Sequence, residues 1–393
     1  MKIAVIGAKG LPPQQGGIEY HCAEIYPRMV EQGHTVDLYA RSSYNQSSWW
    51  ESYDYQGVSV RTVPSLALRG GDALWTSALA AIATTGRHYD VIHFHALGPA
   101  LWSGIPRLLS PCSKVVVTCH SLDWQRDKWG RVGSTLIRGG EHCAMQFGHE
   151  VAVVAQELQP YFKSAYDRQL PYIGNGPATY QPSDQMYSFV QSQGLCPSRY
   201  ILFLGRLVPE KCPDLLVKAF QTLRPEGWKL AIAGGASDTP SYMSHLMELA
   251  MDDPDIVLMG QLKGKHLAET MRGAGFCVLP SALEGLPLVL LEAMHEGIPA
   301  IASNIPVHTR LLDDERGLLF KQGNIDDCIA QLRWAMGHPN AMHMRAKRAQ
   351  AYIQKHHSWD HIAADWLALY RQVCQSTRAT PYPNLTMDIQ NER

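Results

Sequence analysis

The sequence predicts an α/β protein with two doubly wound parallel-sheet domains facing each other across a central cleft. Three observations predict it. Short β-branched runs alternate with amphipathic segments of helical length, the signature of a parallel sheet covered on both faces. The alternation runs through the first half of the chain and restarts at YILFLG (200–205). With 393 residues the chain is too long for one ordinary core and suits two.

The first strand set reads KIAVIG (2–7), TVDLYA (35–40), VSVRTV (58–63), DVIHF (90–94), KVVVTC (114–119) and EVAVV (150–154). Helical segments such as IEYHCAEIYPRMVEQG, closed by Gly33, separate them. The second set reads YILFLG, WKLAIAG (228–234), DIVLMG (255–260), GFCVLP (275–280) and PAIAS (299–303). Between the sets, GNGPATYQPSDQMYSFVQSQGLCPS is rich in Gly, Pro, Ser and Gln and reads as a linker with one short helix. Near the end, HSWDHIAADWLALYRQV carries a helical apolar stripe of Trp359, Ile362, Trp366, Leu369 and Tyr370. The expected organisation is a first domain over 1–180, a linker over 181–198 and a second domain over 199–356. A last helix over 357–375 and a polar, disordered tail over 376–393 complete it.

Composition excludes several classes. The chain is 46% hydrophobic and 18% charged, which is globular rather than disordered. A formal net charge of -1 gives no support for a nucleic-acid partner. Nine cysteines stand singly with no CxxC pair, against a disulfide framework or structural zinc and for a reducing, cytoplasmic setting. The 17 histidines form no HExxH spacing, so no metal site is expected. MKIAVIG reads as a first strand and not as a leader. The longest apolar window, ALWTSALAAIATTG, falls short of the roughly 20 residues a bilayer requires, so no transmembrane segment is expected.

In open parallel sheets, ligands bind beyond the carboxyl ends of the strands, and the loops there are the informative ones. After the first strand, GAKGLPPQQGGIEY places Gly16 and Gly17 before a helix, a cradle for an anion or a plain glycine turn. Glu19 follows, either an acceptor contact or a first-turn acid favoured by the helix dipole. After KVVVTC come His120, Asp123 and Arg126, a polar site or a satisfied structural histidine with polar neighbours. After YILFLG, Arg206 and Lys211 stand before a helix that opens at Pro213. Two cations beside a helix N-terminus suit a phosphate or diphosphate, unless both are solvated bases. After GFCVLP, Glu284 lies just outside a helix expected to open at Pro287, and Glu292 lies about a turn and a half inside it. That spacing, roughly 8 Å along the axis, separates the two acids, so they are not a side-by-side dyad. With the amides of Gly285 and Leu286 between them, they fit two ends of one elongated nucleotide sugar. A cap acid and a core acid paired to a base is the ordinary alternative.

Taken together, these residues resemble glycosyltransferase family 4, the retaining family with the GT-B fold, over residues 1 to 375. The resemblance rests on E-x7-E (Glu284, Glu292), GR-x4-K (Gly205, Arg206, Lys211), GG-x-E (Gly16, Gly17, Glu19) and the I-x-N-G turn at Ile173 to Gly176. IGAKGLPPQQGGIE and HSLDWQR are similar to a bacterial subgroup that builds exopolysaccharide and surface glycans. The resemblance implies that Arg206 and Lys211 neutralise the donor diphosphate, Glu292 takes the ribose hydroxyls, and Glu284 holds the transferred sugar. Gly285 and Leu286 would lie beside that sugar, His120 would polarise it, and Gly16, Gly17 and Asn175 would complete donor binding. Glu19, Asp123 and Arg126 are acceptor-side candidates. A UDP-sugar is the expected donor and a glycan or lipid-linked molecule the expected acceptor. No cofactor or metal is expected.

Asp253-Pro254-Asp255 imitates the DxD metal motif of the other glycosyltransferase fold, but it precedes a strand and reads as a surface turn. Arg126, Lys128, Arg131 and Arg138, interleaved with Trp124 and Trp129, form either a solvated helix face or a contact with a lipid-phosphate acceptor or, peripherally, with the anionic inner membrane surface. Two other readings compete: a non-catalytic nucleotide-binding scaffold subunit, and a phosphorylase- or epimerase-like enzyme on the same fold.

Overall fold

The computed structural model describes residues 1–14, 16–44, 48–66, 71–125, 130–235 and 240–376. Arg126, Lys128, Trp129 and positions 377–393 of the expected tail lie outside the described residues. Residue contacts group the chain into two compact units. The first holds Met1–Val154 and Gln159–Ile173 with the last helix from Ala363; the second holds Ala155–Leu158 and Gly174–Ile362.

The first sheet has seven strands: β1 (Lys2–Ile6), β2 (Thr35–Arg41), β3 (Ser52–Tyr55), β4 (Val58–Val63), β5 (Val91–His95), β6 (Lys114–Cys119) and β7 (Glu150–Val153). Their order is β3-β4-β2-β1-β5-β6-β7, and every pairing is parallel except β3 with β4. The central strands are apolar on both faces because helices cover both: Ile3, Ala4, Val5 and Ile6 of β1 are all fully buried. The added edge strand β3 was not expected from sequence. Its SYDY alternates exposed and half-buried positions, and it joins β4 through Gln56 and Gly57, both at positive φ (51° and 83°). That pair matches the twist of a two-residue hairpin, which is why a glycine stands there.

The second sheet has six parallel strands: β8 (Tyr200–Leu204), β9 (Lys229–Ala233), β10 (Ile256–Gly260), β11 (Phe276–Leu279), β12 (Ala300–Ser303) and β13 (Leu318–Phe320). Their order is β10-β9-β8-β11-β12-β13. Successive side chains of a strand leave by opposite faces. Ile201 and Phe203 therefore join the core under helices Pro213–Leu223 and Ile325–Gly337, while Tyr200 and Leu202 join the core under helix Leu288–His295. β13, LLF, is three residues long and was also missed in the sequence.

Both sheets run outward in two directions from their first strand. The order reverses between β1 and β5 in the first unit and between β8 and β11 in the second. At such a switch point the loops leave to opposite sides and open a crevice at the carboxyl edge.

Candidate active site

In the second unit, the loops after β8 and β11 flank the switch point. The β8 loop is anchored by Leu207 and Val208, both buried, and then tightens into a 3₁₀ turn over Pro209–Lys211. Helix Pro213–Leu223 opens with Pro213 at its first position, where a missing N–H costs nothing. The β11 loop is tied to it, because the Ala282 amide donates to the Glu210 carbonyl at 2.8 Å. Helix Leu288–His295 follows, with Pro287 as its cap at φ -77° and ψ 95°, so the helix opens one residue later than expected.

The two loops bring Lys211 and Glu284 together. The Lys211 Nζ pairs with Glu284 Oε1, and Ser281 Oγ donates to the same oxygen at 2.8 Å. The Glu284 side chain is 7% exposed and that of Lys211 19%. Burial alone would push the Glu284 carboxyl up. Lys211, with His308 and Ser281, outweighs burial and holds it below the ordinary carboxylate range. Arg206 stands at the rim, with a 39% exposed side chain 3.8 Å from Glu210. Gly285 and Leu286 lie between Glu284 and the helix, and neither amide donates a hydrogen bond among the described residues.

His308 is a member of this cluster that sequence reasoning missed. It is fully buried, its Nδ1 lies 3.0 Å from the Ser303 carbonyl, and its Nε2 has no hydrogen-bond partner among the described residues. Burial pushes its pKa down to about 4, so the ring is neutral at pH 7. The sequence carries a signal for it: His308 follows the carboxyl end of β12, the neighbour of β11.

Glu292 has other partners. Its carboxylate accepts from the Tyr180 hydroxyl at 2.7 Å and from the Ala178 amide. Neither a base nor Glu284 shares that bond, so the two acids are separate. Burial pushes the Glu292 carboxyl up to about 7. The folded chain thus holds this proton more tightly than the unfolded one, and Glu292 stabilises the fold fully at acid pH. That contribution, on the order of 3 kcal/mol, is lost as pH rises from about 4.5 through about 7. Glu292→Gln should therefore narrow the stability gap between pH 5 and pH 8 in urea unfolding; an unchanged gap would show that the acid does not titrate there.

Asn175 is buried, and its carbonyl accepts from His357 Nδ1 at 2.7 Å. Trp359 Nε1 closes the same turn on the Pro177 carbonyl at 2.7 Å. Asp253 accepts the Asp255 amide at 3.0 Å in the turn that enters β10, at that strand's amino end. Among the described residues no group of three or more His, Cys, Asp or Glu side chains is placed to hold a metal ion.

In the first unit, Gly16 (φ 100°) caps helix Gly17–Glu31, and a Cβ there would lie 2.2 Å from Glu19 Oε2. Glu19 is buried and folds back to accept the Lys9 amide at 2.9 Å. It ties the first turn of that helix back to the start of the loop that follows β1. His120, at the end of β6, is half-buried and meets His95 Nδ1 through its Nε2 at 3.1 Å. Asp123 accepts from Ser121 Oγ at 2.8 Å. Trp124 is held by Glu141, which accepts its Nε1 at 2.9 Å and also the hydroxyls of Tyr161 and Tyr166 at 2.6 and 2.7 Å. Arg138, from the basic run, stacks over Trp124 at 4.1 Å. No helix among the described residues is long and apolar enough to cross a membrane.

Comparison with known proteins bears on the family and the fold. Residues 15–176 match the family model Glycosyltransferase Family 4, and residues 192–352 match Glycosyl transferases group 1. The D-inositol 3-phosphate glycosyltransferase of Kineococcus radiotolerans is 27% identical over 93% of this chain and 92% of its own. Sucrose-phosphate synthase from Thermosynechococcus elongatus has the same fold, with a TM-score of 0.80 at 20% identity over 95% of this chain and 98% of its own. HepE of Anabaena, solved with UDP and glucose, gives 0.77 at 18% identity over 95% and 100%. With one family model on each half and GT-B enzymes matching along nearly the whole length, the chain belongs to the glycosyltransferases of the family 4, GT-B type.

Proposed function

We propose that the chain is a retaining, metal-independent glycosyltransferase that moves a sugar from a nucleotide-diphosphate sugar, UDP-sugars first, to a glycan or lipid-linked acceptor. The setting is exopolysaccharide or surface-glycan synthesis in the cytoplasm, at the inner membrane surface. The observation that carries this reading is the Lys211–Glu284–Ser281 cluster at the switch point of the second sheet. Cleavage of the donor develops negative charge on the departing diphosphate and positive charge on the sugar. Arg206 and Lys211 supply cations for the first, and Glu284 supplies a carboxylate kept ionised beside the second. Glu292 takes the ribose hydroxyls, with Tyr180 already on one of its oxygens. Within the first unit, His120 is the residue assigned to the reacting sugar. The UDP and glucose named in the HepE structure support the donor choice.

The test is a donor panel of UDP-glucose, UDP-galactose, UDP-N-acetylglucosamine, GDP-mannose and dTDP-rhamnose. D-inositol 3-phosphate and a lipid-linked glycan serve as alternative acceptors. Nucleoside diphosphate release from one UDP-sugar, unchanged by EDTA, is the expected result. Release that EDTA abolishes would overturn metal independence. No release and no thermal shift from any nucleotide would favour the non-catalytic scaffold, since a ligand at 100 times its Kd adds about 2.7 kcal/mol.

A further inference from the structure

Behind His120 the first unit buries a string of polar rings to which no role has been assigned above. His120 Nε2 meets His95 Nδ1 at 3.1 Å, and His95 Nε2 meets the Tyr26 hydroxyl at 2.6 Å. His93 Nδ1 lies 3.0 Å from that hydroxyl and 2.6 Å from the hydroxyl of Tyr370, and the two phenols also bond each other. His93 Nε2 ends the string on Thr118 Oγ1 at 2.6 Å. Tyr26, His93, His95, Thr118 and Tyr370 are all 0% exposed. His120 alone reaches partial exposure, and its Nδ1 meets no partner among the described residues.

Counting protons gives the string a direction. Burial pushes the pKa values of His93, His95 and His120 well below the ordinary range and those of both phenols up. Each imidazole therefore has one N–H and one lone pair, and each phenol keeps its proton. If the string ran inward, with His120 donating to His95 and so on to Thr118, the Thr118 hydroxyl would only accept. Its proton would then be orphaned in the core, at a cost of about 1–3 kcal/mol. Run outward, every buried donor is used. Thr118 donates to His93 Nε2, His93 Nδ1–H to Tyr370, Tyr370 to Tyr26, Tyr26 to His95 Nε2 and His95 Nδ1–H to His120 Nε2. His120 must then carry its own proton on Nδ1.

We propose that Tyr26 and Tyr370, acting through His95, fix His120 as the neutral Nδ1–H tautomer, so that it offers a hydrogen-bond donor at the carboxyl edge of the first sheet. Tyr26, His95 and Tyr370 are positioning residues, and the string is a rigid support with no proton source at its inner end. The tautomer stands on the hydrogen-bond geometry and on the neutrality that burial imposes on the rings; its effect on transfer rests on the function proposed above.

The test uses the full chain. Imidazole ¹⁵N–¹H correlation spectra, with His120→Gln to assign the signal, should show a single Nδ1-protonated neutral His120. Tyr26→Phe should turn that signal into a mixture of tautomers, and Tyr370→Phe should do the same if Tyr26→Phe does not fold. With the donor found active, either variant should lower kcat about 10- to 100-fold, less than or comparable to outright loss of a transition-state donor, with the KM for donor unchanged. An Nε2-protonated His120 in the native chain, or an unmoved signal in both variants, would overturn the proposal. A moved signal with kcat unchanged would overturn its catalytic consequence. An Nδ1–H signal in a chain that transfers no sugar would instead count against the proposed function alone.

Discussion

Glu284→Gln is expected to lower kcat for sugar transfer by about 100- to 1,000-fold, the usual cost of removing one electrostatic stabiliser of a transition state. The substitution keeps the shape of the side chain and its capacity to accept from Ser281, whose Oγ lies 2.8 Å away. What it removes is the negative charge that Lys211 keeps ionised on a nearly buried side chain. In the proposed reaction that charge would act when the sugar becomes cationic and little before, so donor KM should stay within a few-fold. Lys211 loses its counter-charge but remains 19% exposed, so stability should fall only modestly. Steady-state kinetics on the active donor, with a thermal melt, decide the matter. A variant within about tenfold of wild type would remove Glu284 from the chemistry.

Lys211→Ala should be as damaging and in a different way. It leaves the Glu284 carboxylate, 7% exposed, with no cation, and breaking one partner out of a buried pair costs about 3–5 kcal/mol. It also withdraws a cation from the proposed diphosphate position, so donor KM should rise while kcat falls. The pH dependence identifies the cause. In the native chain Glu284 is held below its ordinary range, so it stabilises the fold above that range and the contribution is lost as pH falls. Without Lys211 burial prevails, the carboxyl moves up, and the variant should recover stability relative to wild type on going from pH 8 to pH 5. A variant that stays equally destabilised at both pH values would mean that the lost lysine, and not the stranded carboxylate, causes the damage. Combining Lys211→Ala with Glu284→Gln should restore part of the stability and none of the activity.

How much of this was legible in the sequence depends on the reach of each signal. The central strands were readable because parallel strands buried on both faces are continuous apolar runs, as in KIAVI and YILFL. β3 was not, because a half-solvated edge strand such as SYDY looks like a loop, and three-residue β13 is shorter than any periodicity. Lys211 and Glu284 were readable because each follows a strand's carboxyl end before a helix. Their pairing, across 73 positions of sequence, needed the fold. The same holds for Tyr180 on Glu292, 112 positions away, and for His308, whose placement beside Glu284 depends on β12 lying next to β11. The buried string of His93, His95 and Tyr26 was hidden for another reason. DVIHF reads as an ordinary strand, and nothing local says that its histidine faces a tyrosine from the last helix.

That last helix has a consequence for anyone who would recombine such enzymes. Trp366 and Tyr370 complete the interior of the first unit, 4.8 and 5.6 Å from the ring of His93, although they are encoded after the whole of the second. A chimera cut once, in the segment before Tyr200, would graft a foreign helix into this native interior. It would lose the Tyr370 hydroxyl from its place 2.6 Å from His93 unless the new partner happened to carry one. Exchanging halves between relatives therefore takes two crossovers, with the final helix travelling alongside the amino-terminal half. Selection on that half acts on a stretch of gene it does not adjoin.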